Sequence, residues 1–204
     1  MVLTCPGFIS RSFSDKLIEA FQYVSKNHGS SDGHVRKWQY RTAISAVLLR
    51  EAGIRGLDAR LGRIRQKAAA VVTRFYGISA PAHIDYTLMS EMKAGDCVPS
   101  HADNEKRTRN GVWRPNHTPY HHCTAVLYLN TCGVDYEGGL LRFPSTQQQI
   151  IPKSGLLVGF LSNREYEHEV TRVQSGRRYS ISIWVSLDSR RAEDWKAASN
   201  SASR

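Results

Sequence analysis

Thr124-Ala125-Val126-Leu127-Tyr128-Leu129 is the stretch whose reading decides the fold. It carries no charge and is apolar nearly throughout, which predicts a strand buried on both faces. Working outward, short candidate strands recur between turn signals from about residue 82 onward. One covers residues 83–92. Another covers 139–143 and is launched by Glu137-Gly138-Gly139. Residues 149–151 form a third, stopped by Pro152, and 156–161 follow the turn Pro152-Lys153-Ser154-Gly155. Residues 168–173 come next. A hairpin turn is expected near Ser175-Gly176, leading into the alternating Tyr179-Ser180-Ile181-Ser182-Ile183-Trp184-Val185. Strands at such regular short spacing predict an all-β sandwich or jelly roll.

Residues 1–80 read differently, as a helical support region packed on that core. Ser14-Asp15-Lys16-Leu17 predicts a cap and a short amphipathic helix to about residue 25, with Leu17, Ile18, Phe21 and Val24 on one side. Residues 27–33 are polar and rich in Gly and Ser, a loop. A longer helix is expected from Leu57-Asp58 to Phe75, with Leu61, Ile64, Ala68, Val71 and Val72 at helical spacing and Gly77 and Pro81 ending it. Residues 81–190 would be the catalytic core, and the Ser/Ala-rich 191–204 a flexible tail. The whole is one domain.

The 204 residues are enough for a full core, and 41% hydrophobic with 23% charged residues is ordinary for a soluble protein. No apolar run approaches the roughly 18 residues of a membrane span, and the first residues lack the pattern of a secretory signal. The four cysteines, Cys5, Cys97, Cys123 and Cys132, match no zinc template, so free thiols and a cytoplasmic location are expected. A net charge of +10 favours polyanions or acidic partners in general, or is simply a solvated basic surface. Nothing in the sequence states an oligomeric state.

The chemistry concentrates in Pro99-Ser100-His101-Ala102-Asp103-Asn104, in Glu167-His168 and in Arg178. On an extended segment His101 and Asp103 point to the same side and can reach one metal. A His-x-Asp pair with a distant His is the ligand set of the 2-His-1-carboxylate facial triad, which leaves open positions on non-haem Fe(II) and suits an oxygenase. His168 lies 65 residues beyond Asp103 and is the third candidate ligand. The expected hairpin would bring Arg177 and Arg178 toward His168. A guanidinium there could hold the far carboxylate of 2-oxoglutarate, or be a surface arginine; position alone does not choose.

The connection 104–122 carries Trp113, Arg114 and Tyr120, candidate substrate contacts, and Trp184 could face the same pocket. A long connection beside a catalytic centre is commonly a lid or binding loop. His117, His121, His122 and Cys123 are read as part of that loop rather than as a second metal site.

In these pieces residues 84–186 resemble the catalytic domain of the prolyl 4-hydroxylase-like 2-oxoglutarate dioxygenases, and most nearly the leprecan-type prolyl 3-hydroxylases. The matching motifs are His101-Ala102-Asp103-Asn104, the Thr124 strand ending at Asn130, Glu137-Gly138-Gly139 with Phe143, Pro152 to Phe160, and His168 followed by Gly176, Arg178 and Trp184. The resemblance implies a double-stranded β-helix core, mainly β with N-terminal helices. It implies Fe(II), 2-oxoglutarate and O2, often with ascorbate. It implies His101, Asp103 and His168 as metal ligands and Arg178 as the cosubstrate anchor. One departure stands out. Many relatives carry a Tyr nine residues before the first His, where this chain has Met92, and Tyr86, Thr124 or Tyr128 are candidates to help bind the cosubstrate instead.

The expected activity is hydroxylation of an unactivated C–H in a prolyl or related residue of a peptide, protein or small molecule. An AlkB-like nucleic-acid demethylase would exploit the positive charge, but its second arginine on the final strand is missing here. A barrel kept as a binding module without catalysis would have no reason to retain all three ligands and the arginine.

Overall fold

The larger sheet is built around β8 (Cys123–Tyr128), every residue of which is buried. Its neighbours are β12 (Leu157–Leu161) and β14 (Val173–Ser186). Covered on both faces, β8 has no use for polar alternation, which is why the sequence there is a continuous apolar run. The computed structural model describes residues 1–27, 35–38 and 41–193. The expected loop after residue 27 and the tail beyond 193 therefore lie outside the described residues.

Beyond β14 the sheet continues through β4 (His83–Lys93), β3 (Arg41–Ser45) and β2 (Val35–Trp38), while β1 (Leu3–Cys5) closes the other edge against β12. β9 (Tyr136–Gly138) pairs with the start of β14. A smaller sheet runs β11 (Gln148–Ile150), β10 (Leu141–Phe143), β13 (His168–Val170) and β5 (Val98–His101). β6 (Glu105–Arg107) and β7 (Trp113–Pro115) form a separate hairpin.

Alternation sorts the larger sheet's side chains into two cores. Met89, Ala125, Leu127, Ile181, Ile183 and Val185 face a helical layer of α1 (Arg11–Asn27), α2 (Leu57–Phe75) and the 3-10 segment Ala46–Ala52. Met92, Val126, Tyr128, Val158 and Phe160 face the smaller sheet's Leu141, Phe143, Ile150 and Val170. Two facing sheets backed by helices are the expected double-stranded β-helix. Phe13, Leu17 and Phe21 of α1 are almost fully buried, each contributing about 1.5–3 kcal/mol over exposure.

Helix α2 occupies the span that its periodicity predicts. It ends where Gly77 adopts φ +65° and the Ile78 amide turns back to the Thr73 carbonyl. Helix α1 starts a turn earlier than expected, because the Ser10 hydroxyl accepts from the Phe13 amide and caps it. Two expectations need correction. Residues 1–80 are not only helical support: β1, β2 and β3 extend the core sheet itself, so no physical boundary falls at residue 80. Strands of three to five residues are too short for their alternation to stand out. Second, no hairpin turn falls at Gly176. β14 runs unbroken from Val173, and Gly176 is the point where it presses on β9: a Cβ there would meet the Asp135 carbonyl oxygen at 2.7 Å. The chain does not reverse: it runs on through Thr171-Arg172, where the Thr171 amide donates to the Leu140 carbonyl and the Gly139 amide to the Arg172 carbonyl, and so passes from the smaller sheet to the larger.

Candidate active site

β5 and β13 are adjacent antiparallel strands, and their register sets His168 opposite His101. The two imidazole rings are 4.4 Å apart between centroids. Asp103 lies just past the end of β5, its Oδ1 3.7 Å from His101 Nε2. One ligating atom from each of the three can be chosen so that all lie within 4.8 Å of one another, close enough to share an ion at roughly 2 Å from each donor.

The ring tautomers favour this use. His101 Nδ1 is 2.9 Å from the Pro99 carbonyl oxygen, and His168 Nδ1 is 2.9 Å from that of Tyr166. A carbonyl only accepts, so each Nδ1 carries the proton and each Nε2 keeps a free lone pair, the usual arrangement behind a metal-bound histidine. Burial lowers the His168 pKa, with Asp103 only partly opposing, so the ring is neutral near pH 7. Burial pushes the Asp103 carboxyl up, but His168, His101, the Thr124 hydroxyl and the Trp184 indole together outweigh it, and the net shift is down. Thr124 Oγ1 donates to Asp103 Oδ2 at 2.5 Å and is 2.9 Å from Ser162 Oγ.

The cluster opens into a cavity of about 750 Å³. Arg178 reaches it from the larger sheet, and His101 and His168 from the smaller one. That correction to the expected hairpin explains how a residue ten positions after His168 can face it across the cavity. Arg178 is 3% exposed. Its Nε donates to the Gly139 carbonyl oxygen at 3.0 Å and one terminal nitrogen to Ser180 Oγ at 3.1 Å. No carboxylate of the described residues pairs with it. Beside it the Tyr128 hydroxyl is buried and meets no well-aligned hydrogen-bond partner among the described residues, and its ring lies 5.1 Å from the guanidinium carbon. A buried cation beside such a hydroxyl is costly unless an anion occupies the space they share, and the far carboxylate of a bound dicarboxylate fits it. Arg177 points the opposite way, exposed, and bonds Glu91 at 3.0 Å.

The other expected contacts divide. Tyr86, Thr124, Tyr128 and Trp184 line the cavity. Tyr86 stacks on Trp184 with ring centroids 6.1 Å apart, and Trp184 stacks on His121 at 5.6 Å. Trp113, Arg114 and Tyr120 do not line it. The first two sit on the β6–β7 hairpin, and the Tyr120 ring lies under the Arg191 guanidinium. Their connection instead contributes Asn116, His117, Thr118 and His121. Asn116 and Thr118 side chains both donate to the Asp103 carbonyl, tying the connection to the metal-ligand candidate. His117 and His121 thus belong to the wall of this cavity. His121 is held by Asp85 at 2.8 Å, and no second metal cluster occurs among the described residues. Sequence reading also missed Arg41, Ser180 and Ser182. The serines were legible, since they alternate with Arg178 and Trp184 on one strand; Arg41 sits on a strand too short to be recognised.

The family model described as 2OG-Fe(II) oxygenase superfamily matches residues 84–186. Human prolyl 3-hydroxylase 1 is 28% identical over 147 residues, which is 64% of this chain and 20% of that protein. The chain thus spans about a fifth of the length of the curated relatives it matches. The viral collagen prolyl hydroxylase of Paramecium bursaria Chlorella virus-1, solved with 2-oxoglutarate, has TM-score 0.64 at 17% identity and covers 91% of this chain and 94% of that one. A Trichoplax adhaerens prolyl hydroxylase, solved with a hypoxia inducible factor peptide, has TM-score 0.61 at 16% identity over 97% of this chain and 86% of that one. These two structures show the shared fold. By the family match, which takes in both histidines, Asp103 and Arg178, the chain belongs to the 2OG-Fe(II) oxygenase superfamily.

Proposed function

We propose that this protein is an Fe(II)- and 2-oxoglutarate-dependent hydroxylase acting on an unactivated C–H of a prolyl or related residue in a peptide or protein. The observation that carries this reading is the one cavity in which His101, Asp103 and His168 converge opposite the buried Arg178, which no carboxylate of the described residues pairs. Nε2 of each histidine and the Asp103 carboxylate would hold Fe(II). Arg178 and the Tyr128 hydroxyl would hold the far carboxylate of 2-oxoglutarate, with Tyr128 filling the part that Met92 cannot. When bound, the iron couples oxidative decarboxylation of 2-oxoglutarate to insertion of one oxygen atom from O2 into the substrate.

The chain's own residues then bind, orient and exclude water. The Thr124 hydroxyl occupies one Asp103 oxygen and leaves the other for the ion. Leu88, Val126, Leu141 and Val170 make the cavity wall apolar, which strengthens the electrostatic contacts inside. The stacked Tyr86 and Trp184 offer a flat aromatic surface suited to a proline ring. The names of the relatives support a prolyl substrate, and the peptide in the Trichoplax complex supports a peptide one. The four free thiols support the cytoplasmic placement.

The test is mass spectrometry of proline-containing peptides with Fe(II), O2 and ascorbate, with and without 2-oxoglutarate, alongside succinate release. A gain of one oxygen on proline that requires 2-oxoglutarate is expected. Succinate release that no proline peptide stimulates would refute the prolyl reading.

A further inference from the structure

The hydroxylase site leaves the β6–β7 ribbon without a role. Its two strands pair only with each other, and Trp113 and Arg114 on β7 do not line the cavity. The chain that forms it carries one sign of charge. Lys106, Arg107, Arg109 and Arg114 follow Glu105, and no Asp or Glu occurs again before Asp135. All four cations are exposed. No carboxylate of the described residues pairs with any of them, and Arg107 makes only a long bond, from Nε to the Gly111 carbonyl oxygen at 3.4 Å.

The register sets Lys106 directly opposite Arg114, and Arg107 opposite Trp113. Neighbours on a strand point to opposite faces. One face of the ribbon therefore carries Lys106 and Arg114, the other carries Arg107, and Arg109 lies in the turn between the strands. Like charges directly opposite each other destabilise a strand pair, and an anion lying across Lys106 and Arg114 would relieve that repulsion. The ribbon is nonetheless tied at both ends. In the turn the Thr108 amide and hydroxyl both donate to the Val112 carbonyl oxygen, at 2.8 and 3.0 Å, and Gly111 takes φ +78°. At the base the Asn116 amide donates to the Asn104 carbonyl, and the Asn116 side chain to that of Asp103. The cations thus stand on a framed element, which lowers the ordering cost of binding.

Cations on one face alone would suit a flat acidic surface. Cations on both faces and in the turn of a two-stranded ribbon suit a partner that flanks it with negative charge on two sides. The major groove of B-form DNA admits a two-stranded β-ribbon and has a phosphate backbone along each edge. We propose that the β6–β7 ribbon is a binding surface for double-stranded DNA. It enters the major groove turn first, with Lys106 and Arg114 toward one phosphate backbone, Arg107 toward the other and Arg109 toward the base edges. The net charge of +10 adds long-range attraction. This surface is separate from the iron site and does not depend on the hydroxylase reading.

The experiment is fluorescence anisotropy of a labelled DNA duplex of about 20 base pairs, titrated with the full chain over a range of salt concentrations. Four cations engaged with the duplex give a slope of log affinity against log salt of about −3 to −4. The double variant Lys106→Gln/Arg114→Gln should make that slope shallower by about 2 and weaken binding about tenfold or more. Arg63→Gln/Arg74→Gln removes the same charge from exposed positions of α2 and should leave the slope at its parent value. Mn(II) affinity, expected unchanged in both, checks that the connection to Asp103 is intact. If the ribbon double variant loses it, Arg109→Gln, whose side chain has no partner among the described residues, reads the slope instead, by about 1. Equal losses from the ribbon and helix variants overturn the proposal, because bulk charge then explains the binding. Equal affinity for an RNA duplex overturns it as well, since the deep, narrow A-form major groove does not admit side chains. Equal affinity for poly-glutamate overturns it in favour of an acidic protein partner. So does failure to bind the DNA duplex at about 50 mM salt.

Discussion

Arg178 Nε donates to the carbonyl oxygen of Gly139 at 3.0 Å, and that same glycine has no room for a side chain. A Cβ at Gly139 would lie 2.8 Å from Arg178 Cδ, on a backbone with φ +61°. Gly139, between the end of β9 and the start of β10, therefore does more than join two strands: it sets the height of the cation in the cavity. Gly139→Ala is expected to raise the KM for 2-oxoglutarate about tenfold and to cost about 1–2 kcal/mol of stability from the strained φ. Steady-state kinetics with varied 2-oxoglutarate, paired with a urea melt, reads both. A lowered stability with unchanged KM would show that Arg178 does not depend on this glycine.

The two adjacent arginines give a sharper contrast. Arg178 is buried in the cavity, while Arg177 is exposed and tied to Glu91 on the other face. Arg178→Ala should raise the 2-oxoglutarate requirement about a hundredfold, the scale for truncating a buried charge pair. Arg177→Ala should leave it near the parent value. Similar effects from both would contradict the assignment.

His101→Ala and His168→Ala should each abolish tight binding of Mn(II) and all succinate release. Both variants should keep the parent's circular dichroism spectrum, because the site is grafted on sheets that do not need it to fold. Titration of Mn(II) followed by electron paramagnetic resonance measures the first expectation. Retention of parent affinity in either variant removes that histidine from the ligand set.

Thr124 would act on a bound metal through Asp103, to which its hydroxyl donates. Thr124→Val deletes the hydroxyl that donates to Asp103 Oδ2 at 2.5 Å while keeping the side-chain shape. Metal affinity should fall about tenfold to a hundredfold, as for other partners of metal ligands. The same titration reads it, and an unchanged affinity would reduce Thr124 to a packing role.

Acid should destabilise the metal-free protein in two steps. Burial lowers the His168 pKa below its usual 6.5, and burial also lowers His121, with Asp85 opposing. Below about pH 6.5 the unfolded chain takes up protons that the folded one refuses. Stability is therefore full above that value and falls as pH drops, by at most about 1.4 kcal/mol per pH unit for each group. Asp103 is lowered from its usual 3.8, so its contribution is lost only below that range. Urea melts of the metal-free protein between pH 7 and 5 should show the first decline, and His168→Gln should make it shallower, leaving the share of His121. A parallel decline in both proteins would place the titration elsewhere.

Most of the fold was legible because its signals are local. The apolar run at 124–129 marks a strand covered on both faces, and the heptad-like spacing from Leu57 to Phe75 gives α2 its observed ends. The errors share one cause. β1, β2 and β3 are recognisable only by what they pair with, and Gly176 resembles a turn unless β9 is known to press on it. The same holds in the site. Trp113, Arg114 and Tyr120 have the right chemistry for substrate contact, yet the β6–β7 hairpin and the Arg191 stack keep them off the cavity.

Residue identity and order alone determined the candidate ligand chemistry: two imidazoles, a carboxylate two positions from the first, and a following arginine pair. Those types at those spacings limit the metal and the reaction before any fold is known, because donor softness and charge are properties of the side chains themselves. Only the tertiary structure decided which arginine enters the cavity, which hydroxyl lies beside it, and that Arg41 lines the same cavity. Each of those facts depends on strand register and on the parity of side chains across paired strands. Register is fixed by packing between residues far apart in the chain, so no local stretch of sequence contains it.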